Sequence, residues 1–434
     1  MTSDNGQSRN KLIELQRPPI VEKVILARLA VPTDSDAEID ESLSELSQLA
    51  WTAGAEVVGS VVQARQKPDP GTHFGRGKLA EIKAMAADLE ADAVIIDSEL
   101  TAKQGANIED ALELKIVDRT QLILDIFAQH AHTREGKLQV ELAQLQYILP
   151  RLTGRGSIMR QQGGIGVRGP GEQKLEVDRR RIRERIRRLQ GQIEEVRRQR
   201  AVQRKNRERT TTGKVSLVGY TNAGKSSLLN ALTGAGVLVE DKLFATLDPR
   251  VRRLHLPTGR ECLLADTVGF VNKLPHTLVA AFRATLEQVR ESDLLLLVAD
   301  AAHPAMDEHI DAVYKVLDEI GAIELPLVKV YNKMDLVAGQ DRGSMGVSRR
   351  ESAVAVSAKT GEGLDRLLEI VDERLAATRR RMRLRIPQHE AALVSRIHDE
   401  GRVIEQTYDG NDILMEADIG NALAAQVAEY KVEV

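Results

Sequence analysis

Gly219-Tyr220-Thr221-Asn222-Ala223-Gly224-Lys225-Ser226 decides how this 434-residue chain is read. The stretch fits G-x-x-x-x-G-K-[ST], a loop whose backbone N–H groups wrap phosphates. Its glycines let the backbone approach a ligand. Lys225 has the reach for β- and γ-phosphates, and the Ser226 hydroxyl suits Mg²⁺. The flanks agree: residues 214–218 predict a short buried strand, and Ser227 opens a predicted helix over 227–233, whose N-terminus favours an anion.

Further segments stand in the order that a guanine-nucleotide switch needs. Asp266-Thr267-Val268-Gly269 lies 40 residues after Ser226, at the end of a predicted strand. Asp266 is placed to hold Mg²⁺ through water, and Gly269 to bring its N–H to a γ-phosphate. Between them, Phe244-Ala245-Thr246-Leu247-Asp248 offers Thr246 as a second hydroxyl for Mg²⁺, present only when the γ-phosphate holds the segment. Asn332-Lys333-Met334-Asp335 follows an apolar strand. Its Asp335 carboxylate accepts from both N1–H and the N2 amine of guanine, and adenine lacks that pair. Asn332 and Lys333 brace the loop and stack on the base, and Ser357-Ala358-Lys359 closes over it. The expected ligand is GTP, turning over to GDP, with Mg²⁺. Residue 270 is Phe, where many small GTPases place a water-orienting Gln, so hydrolysis needs another device. Asn222 is a candidate K⁺ ligand, with shaping of the loop as the competing reading. Arg250 and Arg252 read as surface charges rather than catalytic fingers.

The chain's net charge of −3 hides an asymmetry. Residues 151–209 carry 19 Lys/Arg against 7 Asp/Glu, a balance of +12, which leaves −15 elsewhere. A basic segment on an acidic body points to a polyanionic partner. Aromatic residues make up only 3% of the chain, which argues against base stacking as the main mode of nucleic-acid binding. Cys262 is the single cysteine, in an apolar run that reads as packing; with no intrachain disulfide the chain suits a reducing cytosol and a cytoplasmic place. No apolar run approaches the length of a membrane span.

The expected fold class is α/β in several parts. A disordered tail (1–19) precedes an α/β domain (20–134), followed by a helical hairpin (135–210). A phosphate-loop domain with a mostly parallel sheet (211–378) comes next, then a small α+β domain (379–434) entered through a basic linker, Arg379 to Arg381. In the hairpin, Leu138, Leu142, Leu145, Leu149 and Leu152 step by 4-3-4-3, as do Ile182, Ile186, Leu189, Ile193 and Val196, the seam of a coiled coil. Its tip, 153–171, holds seven glycines with Arg155, Arg160 and Arg168 and no acidic residue, which suits phosphate. Gly75-Arg76-Gly77-Lys78 reads as a structural turn, with a small anion site as the alternative.

The phosphate loop, 244–249 and 266–270 resemble the HflX family of ribosome-associated GTPases. So do Asp118 to Ala128, Arg134 to Ala143 and Gly169 to Glu172, which lie outside the nucleotide motifs and are more specific. The resemblance covers about residues 20–378 and is weaker over the last 55. It implies binding to ribosomal RNA of the large ribosomal subunit through Arg155, Arg160 and Arg168, by a protein that is a monomer off the ribosome. It also implies splitting or rescue of stalled ribosomes under stress, and in some members tolerance of antibiotics at the peptidyl-transferase centre. A ribosome-shielding hibernation factor, with hydrolysis incidental, is the alternative. ATP use has also been attributed to the family; the sequence shows no adenine site.

Overall fold

The computed structural model describes residues 21–152, 170–207, 213–234, 243–244, 250–271, 289–337, 353–377 and 379–432. Among them, three sheets organise the chain.

The first is built from β1 (Lys23–Ala30), α1 (Asp36–Thr52), β2 (Glu56–Ala64), α2 (Arg76–Asp88), β3 (Ala93–Ile96), α3 (Ala102–Leu112), β4 (Lys115–Asp118) and α4 (Arg119–His130). The strands are parallel, in the order β2-β1-β3-β4. β1 is central and apolar almost throughout because helices cover both of its faces. Val24 and Leu26 join a core with Leu46, Leu49 and Phe127, whereas Ile25 and Ala27 join another with Leu79, Ile82 and Ile108. That division is the two-residue period of a strand made visible. α1 starts at a capping box formed by Ser35 and Glu38. Gly75 is the N-cap of α2, and Arg76 to Lys78 form that helix's first turn.

The hairpin follows as α5 (Arg134–Arg151) and α6 (Pro170–Arg207). The two helices pack together; Arg185 donates to both oxygens of Glu141 at 2.7 and 2.9 Å, and Leu189 and Ile193 are buried. The seam leucines of α5 are only half-buried. Its fully buried apolar residues are Val140 and Ala143, which enter the core of the first sheet. α5 therefore serves two neighbours, α6 on one side and the helices α3 and α4 of the first sheet on the other. With 38 residues, α6 is about 57 Å long and outruns its 18-residue partner. The tip arginines 155, 160 and 168 lie outside the described residues.

The second sheet holds β5 (Gly213–Gly219), α7 (Lys225–Thr233), β6 (Arg250–His255), β7 (Glu261–Asp266), β8 (Leu294–Asp300), α8 (Met306–Glu319), β9 (Leu327–Asn332), β10 (Ala353–Ala355) and α9 (Leu364–Ala377). Its order is β10-β9-β8-β5-β7-β6, parallel except for the antiparallel edge strand β6. Cys262 is fully buried and burial pushes its thiol up to about 12, so it packs as an inert small side chain.

The third sheet, β11 (Arg379–Pro387), β12 (Arg402–Asp409) and β13 (Asp412–Gly420), is antiparallel in the order β11-β13-β12. It is packed by α10 (Ala391–Glu400) and α11 (Asn421–Gln426). The expected basic linker is corrected here: Arg379 to Arg381 is the start of β11, paired with Gly420, Ile419 and Asp418. Met382, Leu384 and Ile386 point inward, while Arg381 and Arg383 meet Glu416 across the strands. Arg381 and Arg383 lie on that strand's outer face. Among the described residues, no helix is long and apolar enough to cross a membrane.

Candidate functional site

The phosphate-loop segment joins β5 to α7, at the ends of the central parallel strands, where open α/β sheets bind ligands. Gly224 has φ +91°, and a Cβ there would collide with the Asn332 side chain, so only glycine fits. Asn222 is also left-handed, at φ +61°, and its side chain is exposed. Asn tolerates that conformation better than most residues, which gives loop shaping a physical basis. Lys225 is buried, and its Nζ donates to the carbonyls of Gly219 and Tyr220 at 3.0 and 2.7 Å. Burial lowers its pKa to about 8, against the pull of Asp266.

Asp266 closes β7, fully buried, and accepts from the Ser226 hydroxyl at 2.7 Å. Two hard oxygen donors thus share one spot, the donor set Mg²⁺ prefers. Gly269 comes so close that a Cβ would sit 2.7 Å from Thr221 Cγ2 and 3.1 Å from Lys225 Nζ. Phe270 follows, with its ring 2% exposed among Val218, Leu295 and Leu297. Its backbone zips onto the loop: Thr221 N donates to Phe270 O at 2.7 Å, and Phe270 N donates to Gly219 O at 3.1 Å. The ring is a core anchor, which accounts for an apolar residue at this position.

The third group forms at the ends of β9 and β10. Asn332 donates to Ala223 O at 3.0 Å and accepts from Ala358 N at 3.0 Å, so one buried amide ties 332–335 to both the phosphate loop and 357–359. Ser357 Oγ donates to Asp335 Oδ1 at 2.7 Å, and that bond holds the Asp335 carboxyl below its usual range. Lys333, at φ +62°, pairs with Asp300 at 2.7 Å, and Met334 is buried. The structure brings together 219–227, 266–269, 332–335 and 357–359. Of the segment from Phe244 to Asp248, Phe244 is described, and 245–248, including Thr246, lies outside the described residues. Arg252 is exposed on β6, as a surface charge.

Sequence reasoning missed what surrounds this site. Phe244 packs edge-on against Phe127 of α4, with ring centroids 4.6 Å apart. Leu243, Phe244, Val268 and Val271 all join the core that holds Val140 and Ala143 of α5. Tyr220 of the phosphate loop donates its hydroxyl to Glu45 of α1 at 2.7 Å. Glu45 in turn receives Arg119, which also donates to Asp97 at 2.8 Å. Burial pushes the Glu45 carboxyl up, while Arg119 and the Tyr220 hydroxyl pull it back. The other face of the loop's tyrosine carries His309, stacked at 3.7 Å and 6°. Burial, helped by His303, lowers His309 to about 4. The run of apolar and acidic positions on α1 carried no sequence signal for this joint.

The sheet, the phosphate loop and the paired segments at its strand ends define a phosphate-loop GTPase, an enzyme that hydrolyses GTP. Family models match in series: a GTP-binding GTPase N-terminal region (40–128), its middle region (130–207), a 50S ribosome-binding GTPase (214–333) and an HflX C-terminal domain (345–430). GTPase HflX of Caldanaerobacter subterraneus subsp. tengcongensis is 50% identical over 89% of this chain and 89% of its own. That of Escherichia coli K12 is 44% identical over 87% and 88%. The crystal structure of SsGBP with GDP aligns over 81% of this chain and 98% of its own, at 25% identity and a TM-score of 0.47. The chain belongs to the GTPase HflX family. The match at 345–430 extends the kinship past the point where the sequence resemblance faded.

Proposed function

We propose that this GTPase binds the large ribosomal subunit and uses its nucleotide state to split or rescue stalled ribosomes in the cytoplasm, acting as a monomer off the ribosome. Tolerance of antibiotics at the peptidyl-transferase centre would follow where the hairpin tip, with Arg155, Arg160 and Arg168, reaches that centre. One observation carries the reading: the segments that respond to a γ-phosphate in such enzymes, at Phe244 and Val268, share a core with Val140 and Ala143 at the base of the basic hairpin. That shared core would carry a change at the phosphate to the basic arm. The matched 50S ribosome-binding model and the +12 balance of residues 151–209 agree with it.

In this reading residues 219–227 hold the phosphates, Lys225 faces the β- and γ-groups, and Ser226, Thr246 and Asp266 (through water) hold Mg²⁺, which neutralises charge there. Gly269 receives the γ-phosphate, while Asn332 to Asp335 and Ser357 to Lys359 hold guanine. Asn222 holds K⁺. The test is sedimentation of intact ribosomes with the protein and a non-hydrolysable GTP analogue. Separated subunits with the protein on the large one are the expected result. Intact ribosomes carrying the protein would favour the shielding role, and no association would end both.

Two smaller expectations follow from the loop. Hydrolysis should run faster in K⁺ than in Na⁺, by about tenfold or more, and Asn222→Ala should equalise the rates; equal rates in the unaltered protein would leave Asn222 as a loop shaper. Phosphate binding raises the Lys225 pKa above the value of about 8 found here. The bound form then holds more protons than the free form, so affinity falls as pH rises past 8. GDP should bind about tenfold more weakly at pH 9 than at pH 7, as titration calorimetry would show. A Lys225→Arg chain with the same decline would assign it to another group.

A further inference from the structure

Glu41 of α1 sits four residues before Glu45, so the two carboxylates leave the helix on the same face. Glu45 takes the phosphate-loop tyrosine. Glu41 takes two histidines of the GTPase domain: its Oε1 lies 3.6 Å from Nε2 of His303 and 3.6 Å from Nε2 of His309. The two imidazole centroids are 4.5 Å apart, and one ligand atom from each of the three residues falls within 4.8 Å of the others. All three side chains are partly buried in the joint, at 30, 30 and 14% exposure.

These distances have a chemical meaning. Two ligand atoms each about 2.1 Å from a tetrahedral ion stand about 3.4 Å apart. The observed 3.6 Å is close to that, and longer than a hydrogen bond. We propose that Glu41, His303 and His309 form a binding site for a Zn²⁺-class divalent cation that ties α1 to the GTPase domain beside the phosphate loop. The imidazole pair selects the metal. Two nitrogens and one carboxylate suit zinc or cobalt and not Mg²⁺, whereas the all-oxygen pair Ser226 and Asp266 has the opposite preference.

The site is adjacent to the nucleotide loop through a single ring. His309 stacks on Tyr220, whose carbonyl receives Lys225 and whose hydroxyl reaches Glu45. An ion on His309 fixes that ring, and with it the loop's tyrosine, against α1. Binding also has a cost. Nδ1 of His303 accepts from the Ala305 amide at 3.2 Å. Ligation through Nε2 moves the proton to Nδ1, so the ring must turn from that amide. The lost contact sets the expected dissociation constant on the order of micromolar rather than nanomolar. This site stands apart from the ribosome reading, and its test needs no ribosome.

The test uses the full chain saturated with Mg²⁺ and GDP, so that the phosphate-loop ligands are occupied. Co²⁺ is titrated and followed by its visible absorption, then displaced by Zn²⁺ and measured by calorimetry. One ion per chain is expected. Glu41→Gln, His303→Ala and His309→Ala should each weaken binding by about tenfold or more, and the double histidine variant should lose the visible band. Thermal unfolding of each variant checks that it folds, and Glu41→Gln keeps the shape of the joint. Zn²⁺ should slow GDP release by about fivefold or more in the unaltered chain and leave it unchanged in the double variant. Equal affinity in the unaltered and double-variant chains, or binding with no band, would overturn the site. Binding without any change in GDP release would overturn its link to the phosphate loop.

Discussion

A chain carrying Asp335→Asn is expected to lose GTP affinity by about a hundredfold or more and to bind xanthosine triphosphate instead. The Asp335 carboxylate is ionised well below neutral pH, chiefly because Ser357 donates to it at 2.7 Å, with Lys359 and Lys333 helping. Such a group only accepts, and guanine offers two adjacent donors. An amide in its place keeps one acceptor and turns a donor toward the N2 amine, so two donors confront each other. Xanthine carries a carbonyl at that ring position and restores the pair. Asp335 is only partly buried, so the penalty belongs at the lower end of what a sealed pocket imposes. Ser357 still has an acceptor in the variant, so thermal stability should barely move. Competition between GTP and the xanthine nucleotide for one site is the measurement. Undiminished preference for GTP would show that 332–335 does not read the base.

The segments that the structure brings together at the candidate site were legible because each is local. A loop needing φ +91° at Gly224, or a carboxylate at the end of β7, is written within a few residues. Strand and helix periods made the first and third sheets readable for the same reason. Local reading failed where an element's surroundings decide its role. The arginines at 379–381 looked like a linker because their charge outweighed the alternation of Met382, Leu384 and Ile386; the pairing of 379–381 with 418–420, and Glu416 facing Arg381 and Arg383 from more than 30 residues away, make the run part of a strand. Phe270 was read by what it lacks, a water-orienting amide. Its positive role, a ring in the core and a backbone stitched to Gly219 and Thr221, needs the fold. The joint between α1 and the phosphate loop was least visible of all. Glu45 and Tyr220 are 175 residues apart, and neither sits in a pattern that announces the other.

The contact of Phe244 with Phe127 of α4 predicts the second large effect. Phe244→Ala should uncouple nucleotide state from the hairpin while leaving nucleotide binding close to normal. The ring is 3% exposed and meets Phe127 edge-on, in a core shared with Val268, Val271, Val140 and Ala143. Truncating a buried phenylalanine costs about 3–5 kcal/mol where the site does not collapse. Here the loss falls mainly on the contact between the two domains, because Leu243 and Phe244 reach across it; the Leu243 amide donates to Thr52 of α1 at 3.3 Å. Among the described residues Phe244 meets the site only through the apolar core it shares with Val268, not through Lys225, Asp266 or Asp335, so GDP affinity should change by less than about threefold. Amide exchange reads the outcome directly. In the unaltered chain, exchanging GDP for a GTP analogue should alter protection along α5. In Phe244→Ala, α5 should exchange faster in both states and show no difference between them, and Phe244→Leu should recover most of the difference because it refills the volume. A nucleotide-dependent change in α5 of full size in the alanine variant would mean that the signal travels by the Tyr220 and Glu45 hydrogen bond instead. Tyr220→Phe removes only that bond and separates the two routes.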